Sequence, residues 1–432
     1  MRTVMAVVEA NRISPKNSTT RAVLATVIGN ALEWYDFIIY GFFALAISSH
    51  FFGGSPDETL LATYATFALS FIVRPIGGIL LGMLGDRVGR RFTMLLIMAS
   101  MTMSMLLMVA TPTYKAIGFV ATLVVIVARL LQSVSAGGEF SSAATYLLES
   151  VPAERRGFFS GLYSAGTQIA TILAALSGLF ISYVLSDASR DSWGWRIPFA
   201  VGLLIAPVGL YIRRHLPETE AFSKSQASRV KGGFKTLFER PGTLVLALLL
   251  AGAINSGAYI LLAYAPTYVV KVLDLPMYVS FSALLVSGGI GAIATPLFGA
   301  LADRVGAYRQ LLVALFIMVV TVAPLYSWMN TEPTMTKLLL CSGFFSIIYA
   351  ASVAVVPNVM AYLFPAELRA AGMALTYNVS AAIFGGASLY FVTLLIGVFR
   401  TPLVPAFYVL TVFASTFLAV LIGHSRIGRF RA

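Results

Sequence analysis

Five ionisable residues lie inside long apolar stretches of this chain: Glu33, Asp36, Arg74, Arg129 and Glu139. At bilayer depth an ionisable side chain costs at least about 2.5 kcal/mol, so each is a functional candidate. A buried carboxylate can take up and release a proton, and a buried guanidinium can hold a carboxylate by two parallel hydrogen bonds. Asp36 and Arg129 are the expected proton-switching pair. An Arg that touches a carboxylate disfavours its protonated form, and breaking the contact restores it. The alternatives are a static pair, or Glu33 or Glu139 as the proton carrier. Arg129, Gln132, Ala136 and Glu139 recur at spacings of three and four, a polar, small-residue stripe on one helix face. Arg74, Arg129, Gln132 and Tyr40 are candidate substrate contacts, with pairing to Glu33 the alternative role for Arg74. Asn255, Tyr259, Asn358 and Asn378 are expected to complete the site from the second half, where no span carries a charge at comparable depth. Trp34, Tyr35 and Tyr40 beside the acids suit a quaternary ammonium equally, or plain packing.

The elements that position these residues follow from composition. Hydrophobic residues make up 58% of the 432, charged residues 11%, and mean hydropathy is +0.86. Soluble domains carry about 25% charge, so this chain is expected to face lipid. Stretches long enough to span lie near 22–48, 58–84, 92–110, 117–149, 157–186, 195–213, 243–270, 277–301, 309–329, 335–363, 371–398 and 402–424. Twenty-two of the thirty lysines and arginines fall on the termini and the even-numbered connections. Positive charge stays on the cytoplasmic side, which places both termini there and explains a net charge of +12 without nucleic acid. The polar first twenty residues lack the pattern of a removable signal. The single cysteine, Cys341, and the three scattered histidines suggest neither a disulfide nor a metal site.

Two segments repeat. Gly82–Gly89 recurs as Gly299–Gly306, and Pro152–Arg156 recurs as Pro365–Arg369, each at the matching connection of its half. The expected architecture is therefore all-α and membrane-integral: twelve spans in two pseudo-symmetric six-helix bundles, 1–213 and 242–432, joined by a cytoplasmic linker, 214–241. Such repeats place a binding site at their interface near the midplane and permit alternating access by rocking. No nucleophile constellation, metal set or nucleotide loop suggests an enzyme, and a channel has no need of paired halves with matched loops.

The same residues carry a resemblance. GDRVGRR at 85–91 and Tyr146-xx-Glu149-xx-Pro152-xxx-Arg156-Gly157 resemble loop signatures of the major facilitator superfamily. GNALEWYDFIIYG (29–41), RPIGGILLG (74–82), ARLLQSVSAGGE (128–139), WGWRIPF (193–199), ETEAF (218–222) and AIFGG (382–386) narrow the likeness. Together they resemble the metabolite:proton symporter family, which includes carriers of citrate, 2-oxoglutarate, shikimate and proline/betaine. PVGLYIRRHLPETEAF (207–222) and APTYVVKVLDL (265–275) tilt it toward the citrate/tricarballylate carriers. Ser133 departs from the family's usual Gly. The resemblance implies a monomeric, proton-coupled symporter of a bacterial-type inner membrane, importing a small organic acid, with the proton as coupling ion and no cofactor. A zwitterion symporter and an efflux antiporter are the alternatives. Sugar–proton symporters of the superfamily set an Asp of helix 1 against an Arg of helix 4, as Asp36 and Arg129 would be. The resemblance also implies an inter-half latch of Asp86, Arg87, Arg90, Asp303 and Arg304, joined by Glu149, Arg156, Glu367 and Arg369. Their plainer reading is topology and solvated charge.

Overall fold

The computed structural model describes residues 15–88, 90–137, 147, 151–203, 235–365 and 368–423. The chain there is helical almost throughout. In hydrocarbon only a helix or a closed barrel satisfies every backbone N–H and C=O, and long runs of Leu, Ala, Ile and Val without a strand-like alternation select the helix.

Helix α1 (Pro15–Phe42) leads into α2 (Ala44–Phe51) across a 64° bend. Then come α3 (Pro56–Val88), α4 (Arg90–Ala110), α5 (Phe119–Ala136) and α6 (Arg156–Val184). A sixth segment begins at 197–203, and its continuation lies outside the described residues. In the second half, α7 (Pro241–Ser256) passes through a π-helical turn, Gly257–Ala263, into α8 (Ala265–Lys271). Helices α9 (Met277–Val305) and α10 (Ala307–Asn330) are continuous despite internal Pro296 and Pro324. Helix α11 (Met335–Val353) breaks before α12 (Val356–Leu363), and α13 (Arg369–Ser380) passes through a second π turn, Ala381–Gly386, into α14 (Ala387–Phe399). Helix α15 (Val404–Ile422) closes the described chain. Among the described residues nine helices are long and apolar enough to cross a membrane, ten with the bent pair. Residues 214–234 of the expected linker lie outside them, and Lys235–Phe238 forms a short helix.

The surface is apolar, and the mainly apolar interior holds the buried polar and charged groups. Ile293, Leu297 and Phe399 are 68%, 63% and 66% exposed, whereas Arg74, Arg129 and Gln132 are buried. Close approach between helices depends on glycine, the usual device where lipid removes the hydrophobic drive to associate. A Cβ at Gly299 of α9 would run into the Gly157 carbonyl of α6, and one at Gly161 into the Thr295 carbonyl. In the first half Gly77 meets the Val134 backbone and Gly137 meets Arg74 and Gly78. The two halves touch on both faces. On the face where Arg156, Arg304 and Arg369 lie, here the basic face, Asp303 accepts from Gly157 N at 2.7 Å and Phe158 N at 2.9 Å. On the opposite face Tyr64 and Thr267 share a 2.6 Å hydrogen bond and Lys271 reaches Asp57 at 3.8 Å.

Candidate functional site

Three helix faces with spacings of three and four converge between the halves. Glu33, Phe37 and Tyr40 come from α1; Phe67, Phe71 and Arg74 from α3; Arg129, Gln132 and Ala136 from α5. The spacing of each set places its members on one side of a helix, and bundle packing turns all three sides inward.

Arg74 and Glu33 form a buried ion pair at 2.5 Å, with both side chains no more than 5% exposed. Arg74 also donates from Nε and Nη2 to the Ala136 carbonyl at 3.4 and 3.3 Å. Pairing with Glu33 was the alternative to direct substrate contact for this arginine, and it is the arrangement present.

Arg129 is treated differently. Its Nη1 donates to Gln132 Oε1. Its guanidinium carbon lies 4.3 Å from the centre of the Tyr40 ring, 4.9 Å from Phe67 and 5.4 Å from Phe37. Only 2% of the residue is exposed, yet among the described residues Nε and Nη2 have no hydrogen-bond acceptor, and Gln132 Nε2 is likewise unmade. A buried donor without a partner forfeits its hydration free energy, and native interiors rarely leave one so. Nε and Nη2 form the edge of a guanidinium that fits one carboxylate bidentately.

Asp36 does not form the expected pair with Arg129: it makes no ion pair or hydrogen bond among the described residues. The reason is helical phase. Three residues beyond Glu33, Asp36 lies about 60° off the inward face, and its Oδ1 lies over Gly202, beside Met105. Arg129 and Glu33 still act on it through space.

The second half supplies a lid of aromatic and amide groups. Tyr259, in the first π turn, packs against Phe71 (5.3 Å), Phe67 (5.7 Å) and Trp34 (5.8 Å). Gly385 of the second π turn lies against the Tyr259 ring, and Gly386 against Phe71. π turns cluster at functional sites, and here two of them meet over the arginines. Tyr259 and Tyr377 both lie within electrostatic reach of Arg74 and Glu33. Asn378 Nδ2 crosses the interface to the Gly137 carbonyl at 2.9 Å. Asn255 bonds Ser380 at 3.3 Å inside the second half, and Asn358 is buried on α12. Tyr40 donates to the Thr63 carbonyl at 3.2 Å and presents its ring to Arg129.

The ring-lining Phe37, Phe67, Phe71 and Tyr377 were absent from the expected site. The spacing 67–71–74 was a usable signal, because it puts two aromatics on the arginine's own face.

Among the expected latch residues, Asp303 spans the halves as described, and Arg156 Nη1 reaches Tyr362 Oη at 3.3 Å. Arg369 Nε donates within its half to the Ala361 carbonyl at 2.8 Å, and Arg304 is exposed. Glu139, Glu149 and Glu367 lie outside the described residues. Asp86, Arg87 and Arg90 fall in α3 and α4, with their side chains outside the described set.

Comparison with known proteins agrees with this architecture. The family model for the Major Facilitator Superfamily matches residues 26–388. A citrate–proton symporter of Salmonella typhi is 34% identical, covering 85% of both chains. One from Klebsiella pneumoniae is 33% identical over 84% of this chain and 83% of the relative. An ectoine/proline transporter of Corynebacterium glutamicum is 30% identical, covering 96% of this chain and 85% of the relative. Among solved structures, a proton:xylose symporter bound to 6-bromo-6-deoxy-D-glucose superposes with a TM-score of 0.78 at 18% identity, covering 95% of this chain and 96% of that one. With a family match across most of its length, transporters rather than enzymes as relatives, and spanning helices packed as two bundles around buried charge, the chain belongs to the major facilitator superfamily.

Proposed function

We propose that this protein is a proton-coupled symporter that imports a small organic acid, a di- or tricarboxylate such as citrate, by alternating access. One observation carries the reading: between the two halves Arg129 buries a correctly shaped carboxylate fork, Nε and Nη2, that no protein group among the described residues accepts from. A static structural arginine would use that edge, as Arg74 uses its own Nε and Nη2 on the Ala136 carbonyl and Glu33. The citrate–proton symporters among its relatives support the cargo class. The coupling ion is the proton, with no cofactor, and the acids beside the arginines carry it. The halves are residues 1–213 and 242–432 with the linker 214–241 between them. The protein works as a monomer in a bacterial-type inner membrane, both termini on the cytoplasmic side.

A second reading is a zwitterionic cargo such as betaine or proline. The cluster of Trp34, Phe67, Phe71 and Tyr259 favours it, as does the ectoine/proline relative. Against it, the Phe67 and Phe71 rings already face the protein's own guanidiniums.

Uptake of labelled citrate into proteoliposomes under an imposed pH gradient separates the two. Uptake abolished by a protonophore and competed only by di- and tricarboxylates is the expected result. Gradient-driven betaine or proline uptake without citrate uptake would replace the cargo.

A further inference from the structure

The two buried guanidiniums are unequal. Arg129 has an open fork, while Arg74 is held by Glu33 and the Ala136 carbonyl. Both lie over one ring, Phe37, at 5.4 and 5.0 Å from its centre. A ligand carboxylate on Arg129 is therefore a neighbour of the Glu33–Arg74 pair. The three side chains Arg74, Arg129 and Glu33 together carry one net positive charge, which a single carboxylate balances, and Asp36 acts on Arg129 and Glu33 from off the inward face. A second carboxylate meets Glu33 as a like charge and finds Arg74 already bonded.

A proton on Glu33 changes both facts. The neutral carboxyl no longer balances Arg74, and both guanidiniums then lack a charged partner on the inward face. We propose that protonation of Glu33 releases Arg74 as a second carboxylate anchor, so that the site is built for a dicarboxylate and binds it together with a proton. The exchange balances without covalent chemistry. The proton adds to a Glu33 oxygen, the Arg74 Nη2–H···Oε1 bond is given up, and the same N–H donates to the ligand. A monocarboxylate or a zwitterion needs only Arg129, leaves the pair intact and takes up no proton here. Among the described residues the groups acting on Glu33 include Arg74 from α3, Tyr163 from α6, Tyr259 from the first π turn, Tyr377 from α13, and Asp36 on its own helix. The tyrosines are neutral hydrogen-bonding groups. Asp36 places its Oδ1 against Gly202. The proposal rests on the carboxylate-anchor reading of Arg129.

The test is binding of succinate, butyrate and betaine to the purified full-length protein, with proton uptake read by a pH indicator. Between about pH 7 and pH 9 all three probes hold a constant charge. In the wild-type protein succinate affinity should fall about tenfold for each unit rise in pH, the slope that one linked proton gives, while butyrate affinity stays level. Glu33→Gln should bind succinate without that slope and without proton uptake. The charge-matched double variant Glu33→Gln with Arg74→Gln should lose the preference for succinate over butyrate, and it serves if the single variant fails to fold. An unchanged slope in Glu33→Gln, or equal affinity for succinate and butyrate in the wild type, overturns the proposal and leaves Arg129 as anchor. If no carboxylate binds at all, the Arg129 reading falls and takes this one with it.

Discussion

Replacing Arg129 by methionine should abolish ligand binding at little cost to the unliganded fold. Methionine matches the length of the stem and fits between Tyr40, Phe67 and Phe37. The guanidinium leaves two charged N–H groups unmade. At about 1–3 kcal/mol each, removing them returns about 2–6 kcal/mol. Against that stand the loss of the cation–π contact with Tyr40, about 2 kcal/mol when desolvated, and an orphaned Gln132 Oε1, about 1–3 kcal/mol. The terms nearly cancel, so the apo variant should unfold within about 2 kcal/mol of the parent. Arg74→Met is the control. It strips Glu33 of its buried partner at 2.5 Å, and breaking such a pair costs about 3–5 kcal/mol. Thermal unfolding in detergent, with and without citrate, reads both. A saturating ligand at a hundred times its Kd stabilises by about 2.7 kcal/mol, and that increment should vanish in Arg129→Met. If Arg129→Met proves as damaging as Arg74→Met, or if citrate still protects it, the guanidinium is structural and the anchor reading is wrong.

The latch contacts act in opposite directions. Asp303→Asn weakens a charged cap on the first turn of α6, worth about 0.5–2 kcal/mol. The basic face should open more often, so a cysteine at Ser164, buried against the Val353 carbonyl across the halves, should label about 2–30 times faster. Tyr64→Phe removes the 2.6 Å bond to Thr267 on the other face. It costs about 1 kcal/mol, favours opening on that face and should slow the same labelling by at most about fivefold. Slower labelling in Asp303→Asn would contradict the latch. Gly385→Ala drives a methyl to within 2.8 Å of the Tyr259 ring, an overpacking of about 1–3 kcal/mol that should lower the unfolding temperature and stop transport. Gly289→Ala and Gly397→Ala face open space and should do neither.

Some of this protein is decided one residue at a time, and the amino-acid order alone determines that part. Apolar runs of spanning length force helices, because lipid offers backbone groups no other partner. Spacings of three and four place Glu33 with Phe37 and Tyr40, and Arg129 with Gln132, because the helical repeat is local. The repeated Gly82–Gly89 and Gly299–Gly306 segments announce two halves because duplication leaves its trace in the chain itself. Which acid meets which arginine is a different kind of fact. Glu33 and Asp36 are the same chemistry three residues apart, and about 60° of helical phase sends one to Arg74 and the other toward Gly202. That phase acquires meaning only once α1 is rotated against α3 and α5, and packing between helices sets the rotation. The two π turns were equally hidden, since Gly257–Ala263 and Ala381–Gly386 read as ordinary apolar helix. Their wider turns appear only where Tyr259 must fit between Gly385 and Phe71. The open fork of Arg129 is the most tertiary feature of all. A single chain position declares that a guanidinium is present, but its unused edge is defined by every neighbour that fails to reach it.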